Sequence, residues 1–204
     1  MPMPYTNPLV NTLFLALQLL AIIDPTGAIP LLAPVISQAD DRTLRKIDRL
    51  VGIGVPVLLL FFALVGNYLL AVFSIKSYDL KIAGGIILLV VSLDILREGY
   101  PKTASINVEE FVFVPIVTPM LVGPGAITAV LVMRSMYPLW QLVLAILIAS
   151  GITYIVIKFS QEILKRLGQD MLKFIGRFMS LIVAGWSVSL IIDGISQVIK
   201  SLGL

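Results

Sequence analysis

The chain has no cysteine and no histidine. These absences exclude disulfides, thiolate and imidazole metal sites, and every mechanism in which a histidine activates a nucleophile. Charge is scarce too: 13% of residues are Asp, Glu, Lys or Arg, against about 25% in a soluble domain. Apolar residues fill the difference, at 58% of the 204 residues, with a mean hydropathy of +1.02. That is the composition of an all-α integral membrane protein. The pI near 9.2 fits basic residues gathered on one set of loops better than a nucleic-acid surface, so membrane lipid, not nucleic acid, is the expected neighbour. Residues 1–5 lack a basic n-region, so the first apolar segment is expected to stay in place as a span.

That first segment, Leu9–Ile36, has one side-chain charge, Asp24. As one straight helix its 28 residues would measure about 42 Å, against ~30 Å of bilayer hydrocarbon. It contains Ile22-Ile23-Asp24-Pro25-Thr26-Gly27-Ala28-Ile29-Pro30. Asp before Pro reads as a helix start: Asp accepts from free amides as N-cap, and Pro fits the first helical position. Two half-helices meeting at Asp24-Pro25 are therefore expected. The device returns at Gly123-Pro124-Gly125-Ala126-Ile127.

The remaining spans are expected at about Val51–Phe73, Leu80–Leu96, Phe111–Met133 (broken at Gly123-Pro124-Gly125), Trp140–Phe159 and Phe174–Ile199. A polar patch, Ser37–Leu50, carries Arg42, Arg45 and Arg49 on one helix face. Pro56 predicts a kink, and Gly52 and Gly54 close packing. Ser160–Lys173 reads as a charged loop. Two internal matches pair the halves: Gly27-Ala28-Ile29 with Gly125-Ala126-Ile127 at an offset of 98, and Leu80-Lys81-x-x-Gly84 with Leu172-Lys173-x-x-Gly176 at an offset of 92. Three spans per half is odd, so the second half enters the membrane from the opposite side. The expectation is one transmembrane domain over 1–204, with six helices in two inverted-topology three-helix repeats. Repeat one covers about 5–98, a connector about 97–110, and repeat two about 111–204. Loops after spans one, three and five hold eleven of the fifteen Lys and Arg, which places both termini outside the cytoplasm.

Backbone at membrane depth leaves the helix only where protein or a polar cavity satisfies it. Half-helix starts at Pro25 and Pro124 offer free N–H groups and positive dipole ends to a carboxylate. The half-helix ends before them offer carbonyls to an ammonium or small cation. A zwitterionic amino acid carries both charges, and Gly27, Gly123 and Gly125 permit close approach. Candidate substrate-binding residues are Asp24, Pro25, Thr26, Gly27, Gly123, Pro124, Gly125, Ala126 and Thr128. Asp24 reads either as a cap that never titrates or as a buried carboxylate that holds the ammonium or carries a coupling proton or sodium ion. Thr26, Thr118 and Thr128 offer hydroxyls, although back-bonding within a helix accounts for any one of them. Asp94 and Asp193 read as interfacial. Gly84, Gly85 and Gly176 read as helix-packing glycines. No metal site, cofactor or enzymatic activity is expected. H-E-x-x-H chemistry lacks its histidines, and Asp24 has Val122 or Gly123, not a second acid, as its repeat mate. An exporter or antiporter of other small metabolites or drugs is the rival, and it needs a wider cavity.

Asp24-Pro25-Thr26-Gly27-Ala28-Ile29-Pro30 resembles the D-P-x-G-x-x-P signature of the MarC family. Pro119-Met120-Leu121-Val122-Gly123-Pro124-Gly125-Ala126-Ile127 resembles its P-L-x-x-G-P-G-A-I signature, with Met120 where leucine is usual. Gly66-Asn67, Lys81-Ile82-Ala83-Gly84-Gly85-Ile86 and Asp193-Gly194 also resemble family positions. The resemblance covers nearly the whole chain and implies a six-span inner-membrane protein. The family includes an archaeal transporter of small neutral amino acids, so it also implies transport of glycine, alanine and similar solutes on an ion gradient. A wider similarity to LysE exporters leaves the direction open.

Overall fold

The computed structural model describes residues 7–29, 32, 40–98 and 121–202, and among them all regular structure is helical. Helix α1, Pro8–Ile23, starts where the Asn7 side chain accepts from the Leu9 amide at 2.9 Å, with Pro8 in the first turn. It stops at Asp24, and a second helical turn covers 25–29. Helix α2, Asp41–Arg49, is capped by Asp40, which accepts from the Thr43 amide at 2.9 Å. It exposes Arg42, Arg45, Lys46 and Arg49, as the shared basic face predicts. A π-helical turn, Leu50–Gly54, leads into α3, Val55–Val72. The irregularity expected at Pro56 falls in this preceding turn. The proline has no N–H for the carbonyl four residues back and its ring crowds that carbonyl, which favours a wider turn there.

Helix α4 is Ser77–Glu98, α5 is Pro124–Met136 and α6 is Leu139–Lys158. Helix α7 runs from Ser160 to Ser201 and bends at Gly168, whose φ of 74° and ψ of 165° are open to glycine. The charged loop expected at Ser160–Lys173 is thus helical. Its charges sit on an exposed helix face, while Ser160 and Leu172 are buried. Charge density marked a surface there and not a loss of helix.

Four runs among the described residues are long and apolar enough to cross a membrane: Pro8–Ile29, Arg42–Val72, Leu139–Lys158 and Ser160–Ser201. Pro124–Met136 is apolar but shorter. The expected third span lies within α4. The connector from 99 on, and the first half of the expected fourth span, 111–120, fall outside the described residues.

Among the described residues the interior divides into two clusters. The larger joins Leu15, Leu19 and Ile23 of α1 to Val55 and Leu59 of α3, Ala126 and Ala129 of α5, and Leu142 and Ile146 of α6. The smaller joins Leu80 and Leu88 of α4 to Val132 of α5 and to Val183 and Leu190 of α7. Helix α1 packs chiefly on α6, and α4 chiefly on α7. The outer faces are as apolar as the core: Leu13, Leu17, Phe61 and Leu181 are each half exposed or more. A water-soluble surface does not carry such continuous apolar cover, whereas lipid requires it.

Candidate functional site

Helix α1 breaks at Asp24 for a local reason. The residue before a proline is disfavoured in the right-handed helical region, and Asp24 takes the left-handed one instead, at φ 43° and ψ 64°. Aspartate is among the few non-glycine residues that tolerate it. Asp24 then serves both segments. Its amide donates to the Leu20 carbonyl at 2.9 Å and ends α1, while its carbonyl accepts from the Ala28 amide at 3.3 Å and opens the next turn. The side chain caps that turn: Oδ1 accepts from the Thr26 hydroxyl at 2.8 Å and from the Gly27 amide at 3.1 Å. Asp24 is 6% exposed. Its second oxygen, Oδ2, is buried and has no hydrogen-bond partner among the described residues. Ser150 Oγ and Thr153 Oγ1 on α6 share that state. A buried polar atom without a partner is costly, a carboxylate oxygen most of all.

The second start differs. Gly123 precedes α5 in extended backbone, φ −80° and ψ 179°, and no side chain caps the helix. The Ile127 amide donates to the Gly123 carbonyl at 3.1 Å. Pro124 occupies the first turn and is exposed, Gly123 is half-buried, and Gly125 and Ala126 are buried. The first amides of a helix have no partner within it, and at this start no side-chain cap covers them among the described residues. The start adjoins the first break: a Cβ at Gly125 would lie 3.3 Å from Leu88 Cδ2 and 3.8 Å from Ile22 Cγ2. Ile22 is two residues before Asp24, and Ile23, Ala28, Val122 and Ala126 belong to one core cluster.

Pro25 and Gly27 are buried and Thr26 is half-buried. Thr128, also buried, lies against α4: a Cβ at Gly84 would come within 2.5 Å of its Cγ2. The structure therefore groups Asp24, Thr26 and Gly27 by hydrogen bonds and sets Gly125 beside Ile22, whereas Thr128 faces the α4 glycine. Thr118 lies outside the described residues. Asp94 is exposed.

One charge cluster escaped the sequence reading. Lys81, read there only as part of a repeated motif near the start of the third span, is buried and its Nζ lies 2.7 Å from Asp193 Oδ2. Gln197 Nε2 donates to the same oxygen at 3.1 Å. The pair is 112 residues apart in sequence. The available signal was that each charge stands just before glycines, Gly84-Gly85 and Gly194, that let two helices meet.

Residues 10–199 match the MarC family of integral membrane proteins. The chain belongs to the MarC family. Among its relatives, a UPF0056 membrane protein of Methanocaldococcus jannaschii is 32% identical over 86% of this chain and 91% of its own length. One from Pyrococcus abyssi is 33% identical over 87% and 90%. The inner membrane protein YhgN of Escherichia coli K12 is 27% identical over 91% and 96%. No solved structure matches. Membership of the MarC family agrees with the apolar outer faces and makes the chain an integral membrane protein with several membrane-crossing helices.

Proposed function

We propose that this MarC protein is a secondary active transporter of small neutral amino acids of the glycine and alanine class, driven by a proton or sodium gradient, and not an enzyme. The observation that carries the reading is Asp24 Oδ2, buried and unpartnered at a helix break beside the uncapped start of α5. The two neighbouring ends offer opposite partners. Asp24 Oδ2 suits the substrate ammonium or a coupling cation, and the Gly125 and Ala126 amides suit the carboxylate. The Thr26–Gly27 start is already occupied by the Asp24 side chain, so the carboxylate is assigned to the second start. Broken helices that present dipole ends and backbone groups to a substrate are a recurring transporter device.

The same proposal includes six spans in two inverted three-helix halves, with both termini outside the cytoplasm. The inner membrane is the assigned location, by analogy with YhgN. Uptake of labelled glycine into proteoliposomes, with proton and sodium gradients imposed in turn, tests the function. Accumulation under one gradient is the expected result. No accumulation of glycine or alanine under either would overturn it. Single cysteines at Ser201 and Glu162, both exposed, test orientation in a chain without native cysteine. Labelling from outside at 162 and not at 201 would reverse the topology.

A further inference from the structure

Three buried hydroxyls turn back on their own helices. Thr12 donates to the Pro8 carbonyl at 3.0 Å, Ser92 to that of Leu88 at 2.7 Å and Ser187 to that of Ala184 at 2.6 Å. Each of the three residues is at most 2% exposed. Ser150 and Thr153 on α6 are buried too, at 4% and 0%, yet neither hydroxyl has a partner among the described residues. A back-bond is open to a helical serine or threonine, and a buried hydroxyl left without one is costly. At i and i+3 the two share a helix face, so one bound species can satisfy both.

A third oxygen comes from the neighbouring segment. The π-turn Leu50–Gly54 packs on α6, and a Cβ at Gly52 would lie 3.2 Å from the ring of Tyr154, the residue after Thr153. In a regular helix the Gly52 carbonyl would accept from the amide of residue 56, which is proline and has none. π-turns recur at functional sites, and backbone carbonyls released from a helix coordinate sodium in transporters built on broken helices. Two hydroxyl oxygens and a carbonyl oxygen are a hard, uncharged ligand set. A carbonyl cannot donate, so the set suits a cation and not an anion. Lacking a carboxylate, it favours a monovalent ion, and among the described residues no acidic cluster could hold a divalent one. The close contact at Gly52 suits a small ion, and neutral ligands hold it weakly enough to release it.

We propose that Ser150 Oγ, Thr153 Oγ1 and the Gly52 carbonyl form a sodium site between α6 and the π-turn, apart from the Asp24 break. Asp24 Oδ2 is then left to the substrate ammonium. That the ion drives transport rests on the transporter reading, but its binding does not. Detergent-purified protein is to be melted in sodium chloride, potassium chloride or choline chloride at matched ionic strength. At roughly tenfold over Kd, sodium is expected to raise the wild-type Tm by about 3–6 °C over choline, and potassium by much less. Ser150→Ala/Thr153→Val is expected to keep or raise the Tm in choline, and to lose both the sodium shift and glycine uptake on a sodium gradient. Thr153→Ser retains the oxygen and is expected to retain the shift. Ser92→Ala, which removes a hydroxyl bonded to its own helix, and Asp24→Asn are expected to retain it as well.

A sodium shift that is absent in wild type, equalled by potassium, or kept by the double variant overturns the proposal. So does its loss in Asp24→Asn, which would put the ion at the helix break. A wild type that takes up no glycine, but whose sodium shift disappears with the two hydroxyls, would refute the transport reading and leave the site standing. Glycine uptake on a proton gradient alone, with no sodium shift, would do the reverse.

Discussion

The two helix starts share a residue-then-proline pattern and finish it in opposite ways. At the first, Asp24 adopts left-handed backbone and folds its own carboxylate over the Gly27 amide, leaving one oxygen over. At the second, Gly123 is extended and has no side chain to offer, so the α5 start is uncapped. One break has a carboxyl oxygen to spare and the other a surplus of donors. A repeated backbone device has thus been divided into two chemistries, set beside each other through Ile22 and Gly125. A single residue, Asp against Gly, makes the difference.

Erasing that difference from the acidic side is expected to have the largest effect. Asn caps about as well as Asp and also tolerates left-handed backbone. Asp24→Asn should therefore insert and melt like wild type but lose gradient-driven glycine uptake. Full uptake in that variant would reduce Asp24 to a cap. Next comes Gly125→Val. The space its side chain needs is held by Leu88 and Ile22, so overpacking should cost about 1–3 kcal/mol and weaken glycine binding. A wild-type melting curve together with wild-type affinity would place the substrate elsewhere.

Gly123→Ser sharpens the contrast from the other side. The Gly123 backbone suits any residue, and a serine cap should add about 0.3 kcal/mol of stability, since glycine is itself a fair N-cap. By covering the α5 amides it should also raise the KM for glycine about tenfold. Higher stability with unchanged KM would show that those amides do not hold the carboxylate. The smallest effect belongs to Asp40, an exposed cap with no candidate substrate role. The Thr43 hydroxyl and then its amide hold the Asp40 carboxyl below the ordinary range. Its contribution is present above the ordinary carboxylate pKa and is lost as pH falls through the lowered value. Protection of the Thr43 amide from hydrogen exchange should fall in acid in wild type. In Asp40→Asn it should not respond to pH, and uptake should be unchanged.

The break at Asp24 was legible in sequence because its cause is local: a proline restricts the residue before it, and an aspartate can cap across three positions. The Gly123 start was legible for the same reason. The bend at Gly168 was hidden, since charged residues around a glycine resemble a loop until the buried Leu172 fixes a helix face. The Lys81–Asp193 pair was hidden more deeply. Its partners lie 112 residues apart, and the sequence read Asp193 as interfacial and Lys81 as part of a motif, with nothing to join them. The Leu-Lys-x-x-Gly motif alone does not distinguish Lys81 from Lys173, which occupies the same place in it and stays exposed. The neighbour on α7 decides it.

The π-turn at Leu50–Gly54 has a consequence for rotation about the helix axis. Ile47, Val51, Val55, Leu59 and Ala63 are all at most 2% exposed and recur every four residues. Four residues of α-helix overshoot one full turn by about 40°, so such a stripe would wind steadily off the core. A π-turn uses an extra residue per turn, and it rotates the stripe back midway. If Leu50–Gly54 ran as plain α-helix with every residue kept, the extra residue would be taken up as one more α-helical step. That would twist α2 by about 100° relative to α3 and carry the guanidinium groups of Arg42, Arg45 and Arg49 around to a different side of the helix. Five small and apolar residues therefore act as the phase setting between a charged helix and the apolar one it continues into.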